Sequence, residues 1–392
     1  MSNALTGLVP TLYEALNVVS REMVGFIPAV TLDAKASQAA LNQSVRVPIG
    51  ASGDLEDTTP GANPPNTGST TVNYADVIIT NSKVAPVLWN GEEQLAVGST
   101  GTYNKILADQ LIDGMRKLVN AMEADLAIVV KKGASRAYGT AATTPFGTAG
   151  DLSDLAGAAQ ILDANGCPLS DRQIVFNSSA IANLRGKQSV LFKVNEAGSS
   201  DMLRTGMTDL LQNMAVRYSG GIVQHTKGTG ANATTDNAGY ATGIKTLTLA
   251  SAGTGTIVEG DVVTFAGDSN KYVIKTGDSD VSNGGSIIIN NPGLLIAMSA
   301  ATKAITVGNS YTGNYAFSRS AVVLACRAPA SPKDATGKNL DSADDIMMLT
   351  DPVTGITFEV RVYSRYREVR FEIGLAWGAS VIKSEHVATL LG

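Results

Sequence analysis

The chain has few of the residues that build catalytic or metal sites. Its 392 residues include two histidines and two cysteines, and 17% are charged. His225, His386, Cys167 and Cys326 stand far apart, which gives no metal-ligand spacing and no disulfide framework. A lone histidine is most often a surface or capping residue, and no nucleotide-binding glycine loop or hydrolase motif occurs. The sequence therefore predicts a protein that is no enzyme, with no catalytic, cofactor-binding or metal-binding residues and no cofactor.

Strong charge, aromatic residues and long apolar runs are also scarce. The net charge is −5 and aromatic residues make up 5%, which disfavours both a surface that grips nucleic acid and an aromatic-lined pocket. No apolar stretch is long enough to span a membrane, and the N-terminus lacks the regions of a signal peptide. We therefore expect a protein that is made in a reducing cytoplasm and makes no membrane contact.

The first part of the sequence predicts two projecting segments. Residues 1–42 are predicted to be an N-terminal arm, helical at first, because apolar residues recur at helical spacing. Residues 43–89 predict strands on either side of the polar tip GASGDLEDTTPGANPPNTGSTT. Such a hairpin cannot bury a core of its own and is marginal in water unless it lies on another surface. A flexible surface loop is the alternative interpretation.

The middle of the sequence predicts a long helix and an inserted β-structure. Residues 102–132 carry one apolar stripe at spacings of three and four, with acidic residues such as Glu123 on the other face. Residues 150–221 and 313–355 alternate helices and strands. Between them, residues 222–312 contain five short strand-like runs bounded by turn residues, which predict a small β-barrel or sandwich.

The last strands contain candidate contacts between subunits. Residues 356–382 predict two long strands, with apolar residues on one face and alternating charges such as Glu359 and Arg361 on an exposed face. Three arginines, Arg365, Arg367 and Arg370, form a local basic cluster. An inter-subunit ion-pair site and a solvated strand face are equally good interpretations, because surface ion pairs contribute only ~0–1 kcal/mol each.

The order of these segments resembles the major capsid (coat) protein of tailed bacteriophages, whose fold also occurs in herpesviruses. The run Val258-Glu-Gly-Asp-Val-Val-Thr-Phe-Ala-Gly is similar to the insertion domain of the podovirus coat-protein branch. Tyr315-Ala-Phe-Ser-Arg-Ser-Ala is similar to the return segment of that branch, and Gly374-Leu-Ala-Trp-Gly is similar to its end. The resemblance covers nearly the whole chain and lies in the ordered set of segments.

The resemblance implies an α+β fold with the parts of the tailed-phage and herpesvirus capsid fold and a small all-β insertion domain. These parts are the N-terminal arm (1–42), the extended β-hairpin loop (43–89), a peripheral domain with the spine helix (90–149 and 356–392), an axial domain (150–221 and 313–355) and an inserted β-barrel domain (222–312).

The resemblance also implies a structural protein that self-assembles into an icosahedral shell around packaged double-stranded DNA, without sequence-specific binding. Its partners would be further copies of itself in hexamers and pentamers, a scaffolding protein and a portal. It would assemble as a procapsid in the host bacterial cytoplasm and be located in the virion capsid. A phage or cell-surface structural or adhesin subunit is the alternative. The candidate inter-subunit contacts are Arg46, Asp54, Glu56, Arg365, Arg367 and Arg370.

Overall fold

The computed structural model describes residues 8–49, 52–53, 70–71, 73–98, 103–187, 210–336 and 339–392. These residues form an α+β structure, as the sequence predicts. The helices are α1 (Val9–Glu22), α2 (Gly91–Gly98), α3 (Tyr103–Gly133), α4 (Ser153–Ala164) and α5 (Ser178–Lys187). The strands are β1 (Thr31–Ala39), β2 (Ser44–Pro48), β3 (Ser52–Gly53), β4 (Thr70–Thr71), β5 (Tyr74–Ile78), β6 (Asn81–Asn90), β7 (Arg136–Tyr138), β8 (Arg172–Phe176), β9 (Leu210–Leu211), β10 (Met214–Tyr218), β11 (Thr246–Leu249), β12 (Val262–Phe265), β13 (Lys271–Thr276), β14 (Gly285–Ile289), β15 (Ile305–Val307), β16 (Asn314–Ser318), β17 (Val322–Pro329), β18 (Asp345–Thr350), β19 (Thr357–Arg365), β20 (Glu368–Val381) and β21 (Val387–Leu390).

The spine helix α3 lies at the centre of the largest hydrophobic core. The helix predicted over residues 102–132 is confirmed, since α3 spans Tyr103–Gly133. Leu111, Met122 and Leu126 of its apolar stripe are fully buried. They belong to a core that α3 shares with α1, β6 and β20. Truncating a leucine in a core of this kind costs ~2–5 kcal/mol.

A six-stranded sheet packs against the spine helix. Its order is β1-β17-β20-β19-β18, with β6 on the other side of β20. Strand β1 runs parallel to β17, and the other neighbours are antiparallel. The two long strands predicted near the C-terminus are confirmed as β19 and β20. Strand β6, however, belongs to this sheet, whereas the sequence assigns residues up to 89 to the hairpin loop.

The N-terminal segment packs on its own chain over the described residues. Leu12 and Leu16 of α1 are fully buried against the spine helix, because an amphipathic helix covers its apolar stripe with the nearest apolar surface. The chain then passes so close to the spine helix that a Cβ at Gly25 would lie 1.8 Å from Glu123 Oε1. Residues 8–39, predicted as part of an arm, are therefore part of the folded body from α1 to β1.

A second sheet contains the βα part of the chain. Strands β8, β16 and β21 lie next to one another in it, and α4 and α5 share with them a core that includes Leu155, Phe176 and Leu184. The predicted segment 313–355 is divided differently in the structure, because β16 joins this sheet whereas β17 and β18 join the sheet of the spine helix. Strands β16 and β17 are buried almost throughout, so their sequences carry no alternation that assigns them to a sheet.

The five short strands predicted between residues 222 and 312 are present as β11 to β15. They pair in the order β11-β14-β13-β12-β15. The ladder closes through Thr235, which bridges to Leu249 of β11, and Thr234, which bridges to Ala304 beside β15. The resulting barrel, here residues 233–307, encloses a hydrophobic core of its own. Strand β13 also pairs with β7, which joins the barrel to the second sheet.

Candidate assembly surfaces

The hairpin over residues 44–78, here called the hairpin arm, forms two short ladders. In the part of the chain that the structure describes, β2 pairs with β5 and β3 pairs with β4, and neither ladder joins a larger sheet. Val77 and Ile79 at its base are buried with residues of β17 and β20. Tyr74 and Ile78 are about half exposed. The arm is thus anchored at its base, and it leaves apolar surface uncovered.

Arg46 lies on this arm, directly across the ladder from Asp76. Its Nε lies 3.4 Å from Asp76 Oδ1, and its guanidinium lies 5.4 Å from the centroid of the Tyr74 ring. Both charged side chains are more than half exposed, so this pair contributes only ~0–1 kcal/mol and leaves Arg46 accessible to a partner. Asp54 and Glu56, the two acidic contacts predicted from the sequence, lie outside the described residues.

The turn between β19 and β20 brings together two of the predicted arginines. Arg365 and Arg367 flank Tyr366, which is 90% exposed. Arg367 has a φ of 56°, and its guanidinium lies 6.0 Å from the centroid of the Tyr366 ring. An exposed aromatic ring beside a guanidinium group is unusual for a surface in contact with water alone, and aromatic and arginine side chains are enriched in protein interfaces. We call residues 364–368 the arginine turn.

Helix α2 begins beside the arginine turn. Glu93 donates its backbone N–H to Asn90 Oδ1 at 2.7 Å, and Asn90 donates its backbone N–H to Glu93 Oε2 at 3.3 Å, which is a capping box. The backbone N–H of Gly91 donates to the carbonyl oxygen of Arg367 at 3.1 Å. A cleft of about 690 Å³ lies between these segments. Helix α2 has no fully buried residue and leaves Leu95 77% exposed, although Val97 packs against the main core. Part of its apolar surface is therefore uncovered.

Arg370 differs from the other two arginines of the cluster. It forms an ion pair with Glu372 on its own strand, and both side chains are mostly buried. Residues two positions apart on a strand point to the same face. The spacing of Arg370 and Glu372 in the sequence was therefore a signal for this pair. The structure therefore brings Arg365 and Arg367 together at one accessible turn, places Arg46 on a separate arm, and pairs Arg370 within the chain.

Glu359 and Arg361 are also paired within the chain. Both side chains are buried, and Arg361 Nη2 donates to Glu359 Oε1 at 2.7 Å. Arg361 also donates to Asp341 and Ser331 from the segment before β18. The prediction that these charges lie on an exposed face is wrong, because a polar segment of the same chain covers that part of the sheet.

The two histidines, His225 and His386, and the two cysteines are all buried. Cys167 and Cys326 are buried free thiols. His225 is buried, and its Nε2 lies 2.9 Å from Asp261 Oδ1, so the surface interpretation of this histidine is wrong. Asp261 also accepts the backbone N–H of Gly228, which fixes the chain where it leads into the barrel. Within the described residues, no group of three or more His, Cys, Asp or Glu side chains could hold a metal ion. Among those residues there is also no helix of the length and hydropathy needed to cross a membrane.

Comparison with known proteins gives matches among solved structures. No family model and no curated protein matches the chain. The chain is similar to the capsid structure of the cyanophage P-SCSP1u, with 11% identity, 94% of this chain and 88% of that chain covered, and a TM-score of 0.49. It is similar to a structure from Mycobacterium phage Che8, with 12% identity, coverage of 91% and 94%, and a TM-score of 0.44. It is also similar to the capsid of Ralstonia phage GP4, with 8% identity, 93% of this chain and 87% of that chain covered, and a TM-score of 0.44.

Proposed function

We propose that this chain is a structural capsid subunit of the tailed-phage type, which assembles with further copies of itself into a closed shell. The hairpin arm carries this proposal. Its strands pair with no larger sheet among the described residues, and apolar side chains such as Tyr74 stay uncovered. A two-stranded ladder is marginal in water on its own. The arm is therefore built to lie on a surface outside its own chain.

The arginine turn of a second copy supplies such a surface. Arg365 and Arg367 flank an exposed tyrosine, and α2 beside them has no fully buried residue. The tip of the hairpin arm carries Asp54 and Glu56 in its sequence. We propose that these acidic residues of one copy pair with the arginine turn of the next. Opposite charges at an interface speed association and fix the register of the contact.

A contact between two different surfaces of the same chain produces rings. When one arm reaches onto another part of the next copy, the interface is heterologous, and repetition closes the ring if the rotation allows it. We propose that these rings are the hexamers and pentamers of an icosahedral shell. The net charge of −5 suits a wall that encloses double-stranded DNA without gripping its sequence.

The further partners and the location of the shell complete the proposal. A scaffolding protein and a portal are its expected partners during assembly. The shell forms in the cytoplasm of the bacterial host, and the mature protein is part of the virion. The extended loop, the peripheral and axial domains and the inserted β-barrel domain are the parts from which we propose that the subunit is built, with the barrel as the insertion.

Electron microscopy tests the assembly of the full-length protein. We expect closed particles of uniform size in negative stain and a fast-sedimenting species in velocity centrifugation. A monomer or trimer under all conditions would contradict the proposal. Open fibres would instead favour the structural or adhesin subunit that the sequence leaves as the alternative.

A charge exchange tests the proposed contact separately from shell formation. Arg365→Glu with Arg367→Glu is expected to abolish most particle formation, because like charges then face each other. Adding Asp54→Arg and Glu56→Arg in the same chain is expected to restore it. Lys245→Glu, on an exposed position of the barrel, is the matched control and should assemble normally. Particles that form equally well in all variants would exclude this contact and leave the shell itself in place.

A further inference from the structure

A polar pocket of about 680 Å³ lies where three parts of the chain meet. Its walls are strand β7 with the loop that follows it, helix α4, and the turn that leads into β13 of the barrel. Hydroxyl groups are frequent in these walls, including those of Thr140, Thr143 and Ser269. The pocket is therefore lined by hydrogen-bond donors that come from distant parts of the sequence.

Arg136 is a buried cation at this pocket. It is 7% exposed, and its two Nη atoms donate to neutral groups, namely Asn165 Oδ1 at 2.9 Å, Asn270 Oδ1 at 3.3 Å and the carbonyl oxygen of Ile161 at 3.5 Å. Its Nε has no hydrogen-bond partner among the residues that the structure describes. Burial lowers the pKa of Arg136, although the nearby Tyr272 and Asp268 act in the opposite direction. A buried charge without a paired counter-charge is costly, so an anion at this place would be stabilising.

Asp151 and Asp154 line the pocket, Asp268 lies beside it, and all three carboxylates already accept hydrogen bonds. Asp268 is buried, and its oxygens accept from the Asn270 side chain at 2.6 Å and from the Tyr272 hydroxyl at 2.6 Å. Asp154 accepts a backbone N–H of the loop after β7 at 2.8 Å. Asp151 is exposed and accepts a backbone N–H of α4 at 2.8 Å. Among the described residues, none of these carboxylates accepts a hydrogen bond from Arg136.

Lys271 adds a second cation to the pocket. It lines the wall on the barrel side, and its Nζ donates to the carbonyl oxygen of Gly139 in the loop after β7. An ammonium group has three donors, so two remain for a ligand. These are charge-assisted donors, which bind oxyanions more strongly than neutral groups do. Arg136 lines the same pocket and adds its positive charge.

We propose that this pocket binds a small oxyanion of the phosphate class through Arg136 and Lys271. The bound anion supplies a counter-charge to Arg136, whose hydrogen bonds within the described residues all go to neutral groups, and it accepts hydrogen bonds from the surrounding hydroxyl groups. It also links the barrel to α4 and to the loop after β7, so that binding stabilises the junction of these parts. The proposal does not depend on the proposed shell function, because every group of the site comes from one chain.

Isothermal titration calorimetry of the full-length protein with inorganic phosphate, at constant ionic strength, tests this site. We expect one phosphate per chain.

Lys271→Gln removes a charged donor and is expected to weaken binding about tenfold or more. Gln160→Glu adds a carboxylate to the pocket wall and is expected to weaken it similarly. Lys275→Gln, on the same strand but exposed and outside the pocket, is the matched control and should bind as the wild type does. Arg136 is left intact because it also holds the asparagines around it.

Several outcomes would overturn the proposal. The first is that no phosphate binds at millimolar concentration. The second is that Lys271→Gln and Lys275→Gln weaken phosphate binding equally. The third is that the pocket binds acetate and not phosphate. Thermal unfolding gives a second readout, since a ligand that binds the folded state raises the midpoint. Phosphate should raise the midpoint of the wild type and of Lys275→Gln more than that of Gln160→Glu. An equal rise in all three would show that phosphate acts elsewhere.

Discussion

Asn290, in the barrel, closes the C-terminal end of the spine helix by donating its side-chain amide to the carbonyl oxygen of Lys132 at 2.8 Å. A second hydrogen bond of 2.8 Å reaches the carbonyl oxygen of Ala134. The last carbonyl groups of a helix have no partner within it, and here a residue about 160 positions away in sequence supplies the donor. The helix end and the barrel are thereby joined through buried polar groups.

Replacing Asn290 tests the strength of this joint. Asn290→Leu is expected to lower the free energy of unfolding by ~1–3 kcal/mol, because it leaves buried carbonyl groups without their donor. Urea unfolding followed by circular dichroism measures the loss. Asn283→Ala, which removes an amide that bonds Asp280 in an exposed turn, should cost less than ~0.5 kcal/mol. Equal losses in the two variants would contradict a special role for Asn290.

Glu123 makes the stability of the protein depend on pH. Its carboxylate accepts the backbone N–H of Phe26 at 2.5 Å and of Ile27 at 3.1 Å. Burial raises its pKa above the ordinary value of 4.5, although these hydrogen bonds act in the opposite direction. Above pH 4.5 the unfolded chain therefore loses this proton first, and the folded chain binds more protons. The contribution of Glu123 to the free energy of unfolding is therefore full below pH 4.5, and it is lost as the pH rises through the raised pKa of the folded state.

Glu123→Gln is expected to remove this part of the decline in stability with rising pH. Urea midpoints measured at intervals from about pH 4 to pH 8 give the slope for each variant. Glu14→Gln removes a carboxylate from the exposed side of α1 and should leave the decline in place. A slope that is unchanged in Glu123→Gln would contradict the assignment.

Elements with a local signal could be predicted from the sequence. The spine helix followed from an apolar stripe at helical spacing, and the barrel strands followed from short apolar runs between turn residues. Both signals lie within a few neighbouring residues. At the candidate site, the sequence predicted the arginine cluster. It did not predict that Arg365 and Arg367 are accessible whereas Arg370 is paired within the chain.

Pairing partners and covering segments could not be predicted, because they are set by residues far away in sequence. Glu359 and Arg361 alternate with apolar residues in the same way whether water or a polar segment covers them. Asp125 of the spine helix accepts the Nε1–H of Trp377 on its Oδ2 at 3.0 Å, and the two residues are 252 positions apart. Helix α2 also had no predicted role. The exposure of Leu95 is visible only in the structure.

Cys326 is expected to resist alkylation in the folded protein. It is fully buried beside Met122, and burial raises the pKa of its thiol to about 12. At pH 8 only about one thiol in ten thousand would be a thiolate. Mass spectrometry after iodoacetamide treatment should find Cys326 unmodified until the protein is unfolded. A cysteine introduced by Ser279→Cys at an exposed position should be labelled in the same sample, and rapid labelling of Cys326 would contradict its burial.

The buried pair of Glu359 and Arg361 stabilises the fold mainly because each charge compensates the other. Glu359 is 1% exposed, and it also accepts from the Gln38 side chain at 3.3 Å. Arg361→Met is expected to cost ~3–5 kcal/mol, since it leaves a buried carboxylate without its cation. The double variant with Glu359→Leu is expected to regain most of this loss, because two apolar side chains need no counter-charge.

A double-mutant cycle measures that coupling. Urea unfolding of the wild type, the two single variants and the double variant gives the interaction energy between the two positions. The double variant should be more stable than Arg361→Met alone. If its loss equals the sum of the two single losses, the positions are independent, and the cover formed by Ser331 and Asp341 rather than the ion pair holds this part of the sheet. Arg361 would then act through its contacts to that cover, and Asp341→Asn should destabilise the protein about as much as Arg361→Met does.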